Sequence, residues 1–267
     1  MILPDIVQLY DTSGQQKSEI RSGIGDYLRG TLFLYQYCKK KGMSLGVCFS
    51  GHPLSACMLS PLVLDRALIS KRRLCVLEDD PSLLDLGGIF FSNKFPKFPL
   101  GPEEKYFVRT NCLTPLLNHE ERVAAAMDRM GVKIKSYFVL HVRIGDRDGE
   151  AFSTEEKNGL LKTLENLALP KSYWSQTVLL TDSPMLRTLP PFDQFLSSNL
   201  MVGHAGVSGA STSSIIDSMA EFSLIEHSSG VFQMSSYAWG SGFSGMACSI
   251  FDVPLYQAVA INGFLAH

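Results

Sequence analysis

Six cysteines are scattered through the 267 residues without a CxxC pair and without metal-ligand spacing, which argues against dithiol redox chemistry and zinc modules. Five of them, Cys38, Cys48, Cys57, Cys75 and Cys112, precede Cys248 and sit mostly inside apolar runs such as SLGVCF and RLCVLE, so they are expected to be buried, reduced thiols. There is no excess of positive charge. The net charge of −2 leaves no basic footprint for nucleic acid, so any anionic ligand must be held by local arginines. No apolar run approaches the roughly 18 residues of a membrane span, and MILPDIVQLYD carries neither a basic leader segment nor a cleavage-like site. A cytoplasmic enzyme is therefore expected. Internal repeats, low-complexity stretches and a clean GxGxxG dinucleotide fingerprint are also missing.

What remains is the composition of a globular protein, 45% hydrophobic and 19% charged, long enough for one large domain or two of about 130 residues each. Strand and helix patterns alternate. In the first half, strands are expected at Ile6–Tyr10, Ser44–Phe49, Leu74–Leu77, Ile89–Phe91 and Tyr106–Arg109. A helix runs through GIGDYLRGTLFLYQYCKKKG, with Leu28, Thr31, Leu32, Tyr35 and Cys38 on one face, lysines in the last turn and Gly42 closing it. In the second half, strands are expected at 136–142, Thr177–Leu180, near Leu200–Val202 and at Gly230–Met234. Helices follow at Ser153–Leu167, Ile215–Glu226 and Phe243–Phe251, and 253–259 is left as extended or helical. This alternation predicts parallel sheets covered on both faces, hence an α/β fold of two Rossmann-like domains, 1–125 and 126–267, with a cleft between them.

The stretch Ser136–Glu150, SYFVLHVRIGDRDGE, is the most informative in the chain. A buried apolar run turns abruptly polar with His141, Arg143, Asp146 and Glu150, and open α/β sheets bind ligands at that end of their strands. Arg143 offers a planar fork of donors suited to phosphate or carboxylate. Three further clusters fall at strand ends or helix mouths: Thr181/Asp182/Ser183, Asp217/Glu221, and Ser235/Ser236 with Ser241/Gly242/Phe243/Ser244. The last has the small residues and helix start of an anion site. Asp182 either accepts from a base or ribose or belongs to an ordinary helix-entry turn, and Asp217 is equally readable as a solvated helix residue. Gly23 and Gly25 lie at the mouth of the first helix, where glycine serves either ligand approach or packing. His52, near the end of the second strand, is either a possible acceptor-side residue or a loop histidine satisfied by backbone groups.

HVRIGD with Glu150, then LLTDSP, then DSMAEFSLIEHSSGVFQMSSYAWGSGFSGMA resembles the donor-site motifs of a fucosyltransferase superfamily. That superfamily holds α-1,6-fucosyltransferases, nodulation fucosyltransferases and protein O-fucosyltransferases. GIGDYLRG is similar to its glycine-bearing entry to the first helix. The resemblance rests on about 60 positions spread over both halves. It implies a GT-B-like fold, a GDP-sugar donor (GDP-fucose foremost), inversion at the anomeric carbon, a glycan acceptor, and neither metal nor cofactor.

By that resemblance Arg143 meets the donor β-phosphate, His141 lies beside the nucleotide and Asp182 meets guanine or ribose. Ser235, Ser236, Ser241, Gly242, Phe243 and Ser244 serve the pyrophosphate, while Gly23, Gly25 and Asp26 approach the donor from the other domain. Asp146 and Glu150 are the carboxylates placed to act as general base. The chain departs from the family in its shortness, its missing stem and the missing tryptophan after the arginine motif. Those departures point to a microbial or viral glycan-building enzyme and leave GDP-mannose-like donors open. The rival readings are a Rossmann-type methyltransferase or dehydrogenase built on GIGDYLRG, and a nucleotide-sugar-binding protein without catalysis.

Overall fold

A computed structural model of the chain describes residues 3–10, 23–49, 52–56, 60, 62–65, 67, 74–76, 81–113, 119–145, 151–201, 211–237 and 240–261. Its strands are β1 (Ile6–Leu9), β2 (Leu45–Cys48), β3 (Leu74–Val76), β4 (Gly88–Phe91), β5 (Phe138–Arg143), β6 (Thr177–Thr181), β7 (Leu196–Ser197), β8 (Gly230–Ser235) and β9 (Leu255–Ala260). Its α-helices are α1 (Ile24–Lys41), α2 (Pro102–Phe107), α3 (His119–Met130), α4 (Thr154–Glu165), α5 (Thr212–His227) and α6 (Gly242–Phe251). The chain forms two compact units, Met1–Leu117 with Ala205–Ile216, and Asn118–His204 with Asp217–His267.

The first unit carries a parallel sheet in the order β2-β1-β4-β3. Its α1 ends as the sequence predicts, with Lys39, Lys40 and Lys41 in the last turn and Gly42 in the left-handed region at φ 68°. Gly30 lets α1 approach the end of β4, because a Cβ there would lie 1.7 Å from the Ser92 carbonyl oxygen. Ile6, Leu34, Cys38, Leu84 and Phe90 fill the space between helix and sheet.

One expectation fails in this unit. Tyr106–Arg109 is not a strand but the end of α2 and the start of a π-helical turn, Val108–Cys112. Pro102 at the first helical turn with Glu103 and Glu104 behind it starts a helix, and these start signals outweigh the strand preference of Tyr-Phe-Val.

The second unit carries a five-stranded parallel sheet in the order β7-β6-β5-β8-β9. Successive connections step outward from β5 to β7 and then return to β8 on the other side of β5. The carboxyl ends of β5 and β8 therefore flank the point where winding reverses, the place such sheets bind ligands. Leu140, Val142, Leu179, Phe232 and Met234 face a core shared with Leu160 and Leu164 of α4. Ser153 starts α4 as a capping box, its Oγ accepting from Glu156 N while Glu156 Oε2 accepts from Ser153 N. The short strand expected near Leu200 lies earlier, at Leu196–Ser197, and the segment from Leu255 settles as strand β9.

Cys38, Cys48, Cys112 and Cys248 are buried outside any disulfide, and burial pushes the thiols of Cys38, Cys112 and Cys248 up to about 12, so they pack as small hydrophobes. Among the described residues no helix is long and apolar enough to cross a membrane.

Candidate functional site

Strand alternation puts Val139, His141 and Arg143 on the face of β5 opposite the α4 core. The parallel register sets His141 beside Gln233 and Arg143 beside Ser235 on β8. Four polar side chains thus share one face at the winding reversal of the sheet.

Arg143 is held from the neighbouring strand. Its Nη1 donates to Asp182 Oδ2, and the same carboxylate accepts from Ile144 N at 3.0 Å and Gly145 N at 2.9 Å. Asp182 sits just past β6, so its three bonds tie the turn after β5 to the end of β6. Burial raises the Asp182 pKa, while Arg143 and the amides of Ile144 and Gly145 oppose that rise. Gly145 takes φ 106°, a conformation side-chain-bearing residues rarely adopt, and a Cβ there would stand 3.9 Å from Ser236 Oγ and Tyr237 Oη. Ser236 N donates to the Arg143 carbonyl at 2.9 Å, which links this turn to the end of β8.

His141 is buried at 5% exposure and shares a 2.7 Å hydrogen bond between Nδ1 and Ser244 Oγ. Desolvation, with the Arg143 charge adding to it, lowers its pKa to about 3, so the ring is neutral at physiological pH. Its ring lies 5.5 Å from that of Phe243, which packs edge-on against Phe222.

Gln233, which the sequence reading passed over, organises the entry to α6. Its Nε2 donates to Ser244 Oγ at 2.6 Å and to Ser241 O at 3.2 Å, and its Oε1 accepts from Ser241 N at 3.0 Å. The one available signal was a polar residue at an inward strand position, in phase with Ser235. The first intrahelical bond of α6 runs from Gly245 N to Ser241 O at 3.1 Å. The N–H groups of Gly242, Phe243 and Ser244 precede it, at the positive end of the helix dipole. The hydroxyls of Ser244 and Ser235 belong to the scaffold, the latter accepting from Tyr237 N at 3.1 Å.

The structure therefore brings together His141, Arg143, Asp182, Ser235, Ser236, Ser241, Gly242, Phe243 and Ser244. Asp146 and Glu150 lie outside the described residues.

The remaining polar cluster is buried rather than solvated. Asp217 is 7% and Glu221 3% exposed. Asp217 pairs with Arg122 and accepts from Met201 N at 3.0 Å, while Glu221 accepts from Arg187 Nη2 and Ser198 Oγ, each at 3.2 Å. Arg187 and Ser198 were also passed over, because a contact between separate elements has no local sequence pattern.

In the first unit, Gly23 and Gly25 stand at the start of α1 as expected. Asp26 uses its carboxylate locally, accepting from Gly23 N at 3.1 Å and pairing with Arg29 at 2.8 Å. His52 is buried, its Nδ1 accepting from Leu54 N at 3.1 Å, with the rings of Tyr10 and Phe49 each 6.0 Å away.

No family model and no curated protein matches the chain by sequence. Solved structures do match. Fucosyltransferase NodZ from Bradyrhizobium aligns with a TM-score of 0.56 at 14% identity, covering 92% of each chain. NodZ alpha-1,6-fucosyltransferase co-crystallized with GDP gives the same figures. The same enzyme soaked with GDP-fucose aligns with a TM-score of 0.53 at 13% identity, over 92% of this chain and 91% of that one. Two parallel α/β units and this likeness along nearly the whole chain give the protein the GT-B-like fold of the NodZ fucosyltransferases.

Proposed function

We propose that the protein is a glycosyltransferase that moves a sugar from a GDP-sugar, L-fucose foremost, to a glycan hydroxyl with inversion at the anomeric carbon. The observation that carries this reading is Arg143, locked by Asp182 at the winding reversal of the second sheet and beside the amino end of α6. The fold likeness to enzymes crystallised with GDP and GDP-fucose supports the choice of nucleotide.

The acceptor oxygen attacks the anomeric carbon, the bond to the β-phosphate oxygen breaks, and the electron pair leaves on GDP. Negative charge grows on that phosphate. Arg143 and the N–H groups of Gly242, Phe243 and Ser244 meet it, and fixed donors of this kind act most strongly where water is excluded. No step is assigned to a metal. His141, neutral and bonded to Ser244, keeps the start of α6 in place without adding a charge that titrates near neutrality. The acceptor proton passes to a carboxylate, for which we nominate Glu150 first and Asp146 second. The second unit is the donor side, and the acceptor is assigned to the first.

The test is donor hydrolysis and transfer with GDP-fucose in the presence of EDTA, comparing the wild type with Arg143→Ala. The reading requires turnover in the wild type and a loss of at least about 100-fold in the variant. Full activity in Arg143→Ala would overturn it.

A further inference from the structure

Besides the Arg143–Asp182 pair the second unit buries another acid–base pair, Glu221 of α5 and Arg187. Arg187 belongs to the short 3-10 turn Pro184–Thr188 that leaves Asp182 and Ser183. Its guanidinium reaches the Leu200 carbonyl through Nη1 at 3.2 Å and Glu221 Oε1 through Nη2 at 3.2 Å. Its Nε is buried without a hydrogen-bond partner among the described residues. Ser198 Oγ donates to the same Glu221 oxygen at 3.2 Å, so among the described residues every hydrogen bond to this carboxyl falls on Oε1.

The groups that bear on Glu221 come from each neighbouring element. Arg187 lies on the turn after β6, Ser198 on the segment after β7, Asp217 on α5 itself, and Asp182 at the end of β6. Behind them stand Arg122, paired with Asp217, Arg129, bonded to the Ser198 carbonyl, and Arg143, paired with Asp182. Two other carboxylates repel a charge on Glu221, while Arg187 and the Ser198 hydroxyl, each at 3.2 Å, support it. Burial pushes its pKa up to about 8, opposed by Arg187 and Ser198 and reinforced by Asp217 and Asp182.

We propose that Glu221 and Arg187 form a proton-linked brace behind Asp182, which positions the turn carrying Arg143 and holds a nucleoside diphosphate most tightly while Glu221 is protonated. This rests on the reading that the second unit binds GDP. With Glu221 neutral, Arg122, Arg129, Arg143 and Arg187 outnumber Asp182 and Asp217 by two, a balance suited to an anion. With Glu221 ionised that excess is halved, and the new charge pulls on Arg187 and repels Asp182. Glu221 is a positioning residue and touches no reacting atom.

The experiment measures the GDP dissociation constant between about pH 7.5 and about pH 9.5, above the range where a terminal phosphate titrates. It uses the wild type, Glu221→Gln and Ser198→Ala. In the wild type, affinity falls by roughly tenfold across that range, the factor for one pKa unit of coupling. Glu221→Gln, which cannot ionise, gives a flat profile. Ser198→Ala removes a donor to the charged form and moves the midpoint to higher pH. A wild-type profile that is flat, a Glu221→Gln profile that falls like the wild type, or an unmoved midpoint in Ser198→Ala overturns the brace. The Ser198→Ala arm decides the matter if Glu221→Gln does not fold. Absence of GDP binding at every pH overturns the donor reading itself, and the brace with it, which separates the two failures.

Discussion

Asp182 uses both carboxylate oxygens on the turn that carries Arg143, so the guanidinium is aimed before any ligand arrives. Asp182→Asn keeps the shape but loses the charge. It should weaken GDP binding by about 1–3 kcal/mol in calorimetry, with Arg143→Ala at least as damaging. Gly145→Ala should cost about 1–3 kcal/mol in urea unfolding, because φ 106° strains any residue with a Cβ, and should weaken GDP binding through the same turn. His141 makes a prediction about pH. Its folded pKa of about 3 lies below the unfolded value, so between roughly 6.5 and 3 the unfolded state binds a proton that the folded state refuses. Its contribution is fully present above that window and is lost as pH falls through it. Urea unfolding of His141→Gln should therefore show a shallower loss of stability from about pH 6 to about pH 4 than the wild type does. Residue identities at this site were legible, since Arg143, His141, Asp182 and the Ser235–Ser244 group stand in strand-end and helix-start patterns. The partners were not: Asp182 on Arg143, Gln233 on Ser244 and Glu221 on Arg187 depend on which strands and helices become neighbours.

At the scale of elements, local rules carried most of the chain and failed where two of them conflicted. Ser153 with Glu156 marked the start of α4, and Ser153→Ala should cost about 1 kcal/mol by urea unfolding. The apolar run Tyr106-Phe107-Val108 has the composition of a strand, yet Pro102 and the acidic first turn of α2 had already set a helix. β7, at two residues, is too short to leave a pattern and is defined by its pairing with β6. Gly30 has no distinguishing local pattern within its helix, yet it marks the close approach of α1 to Ser92. Gly30→Ala should destabilise the protein by about 1–3 kcal/mol or more, since backbone must move to admit the methyl group. A change in unfolding midpoint below a few tenths of a kcal/mol would contradict that packing.

At the scale of the whole molecule, the regular alternation of strand and helix made a parallel α/β architecture in two halves readable from sequence. The order β7-β6-β5-β8-β9 was not, because pairing joins residues nearly a hundred positions apart, as Phe138 with Gly230. That order is what gathers three of the polar clusters around Arg143, while Asp217 and Glu221 pair with Arg122 and Arg187. In the function proposed above, this site holds guanosine diphosphate through Arg143. A thermal-shift comparison of GDP, UDP, CMP, S-adenosylmethionine and NAD in EDTA tests it most directly. At ligand concentrations about 100 times the dissociation constant, GDP should add about 2.7 kcal/mol and raise the melting temperature by roughly 5 °C or more. The other four should give little shift, and Arg143→Ala should abolish the GDP effect. A larger shift with S-adenosylmethionine or NAD, or an undiminished GDP shift in Arg143→Ala, would contradict the account.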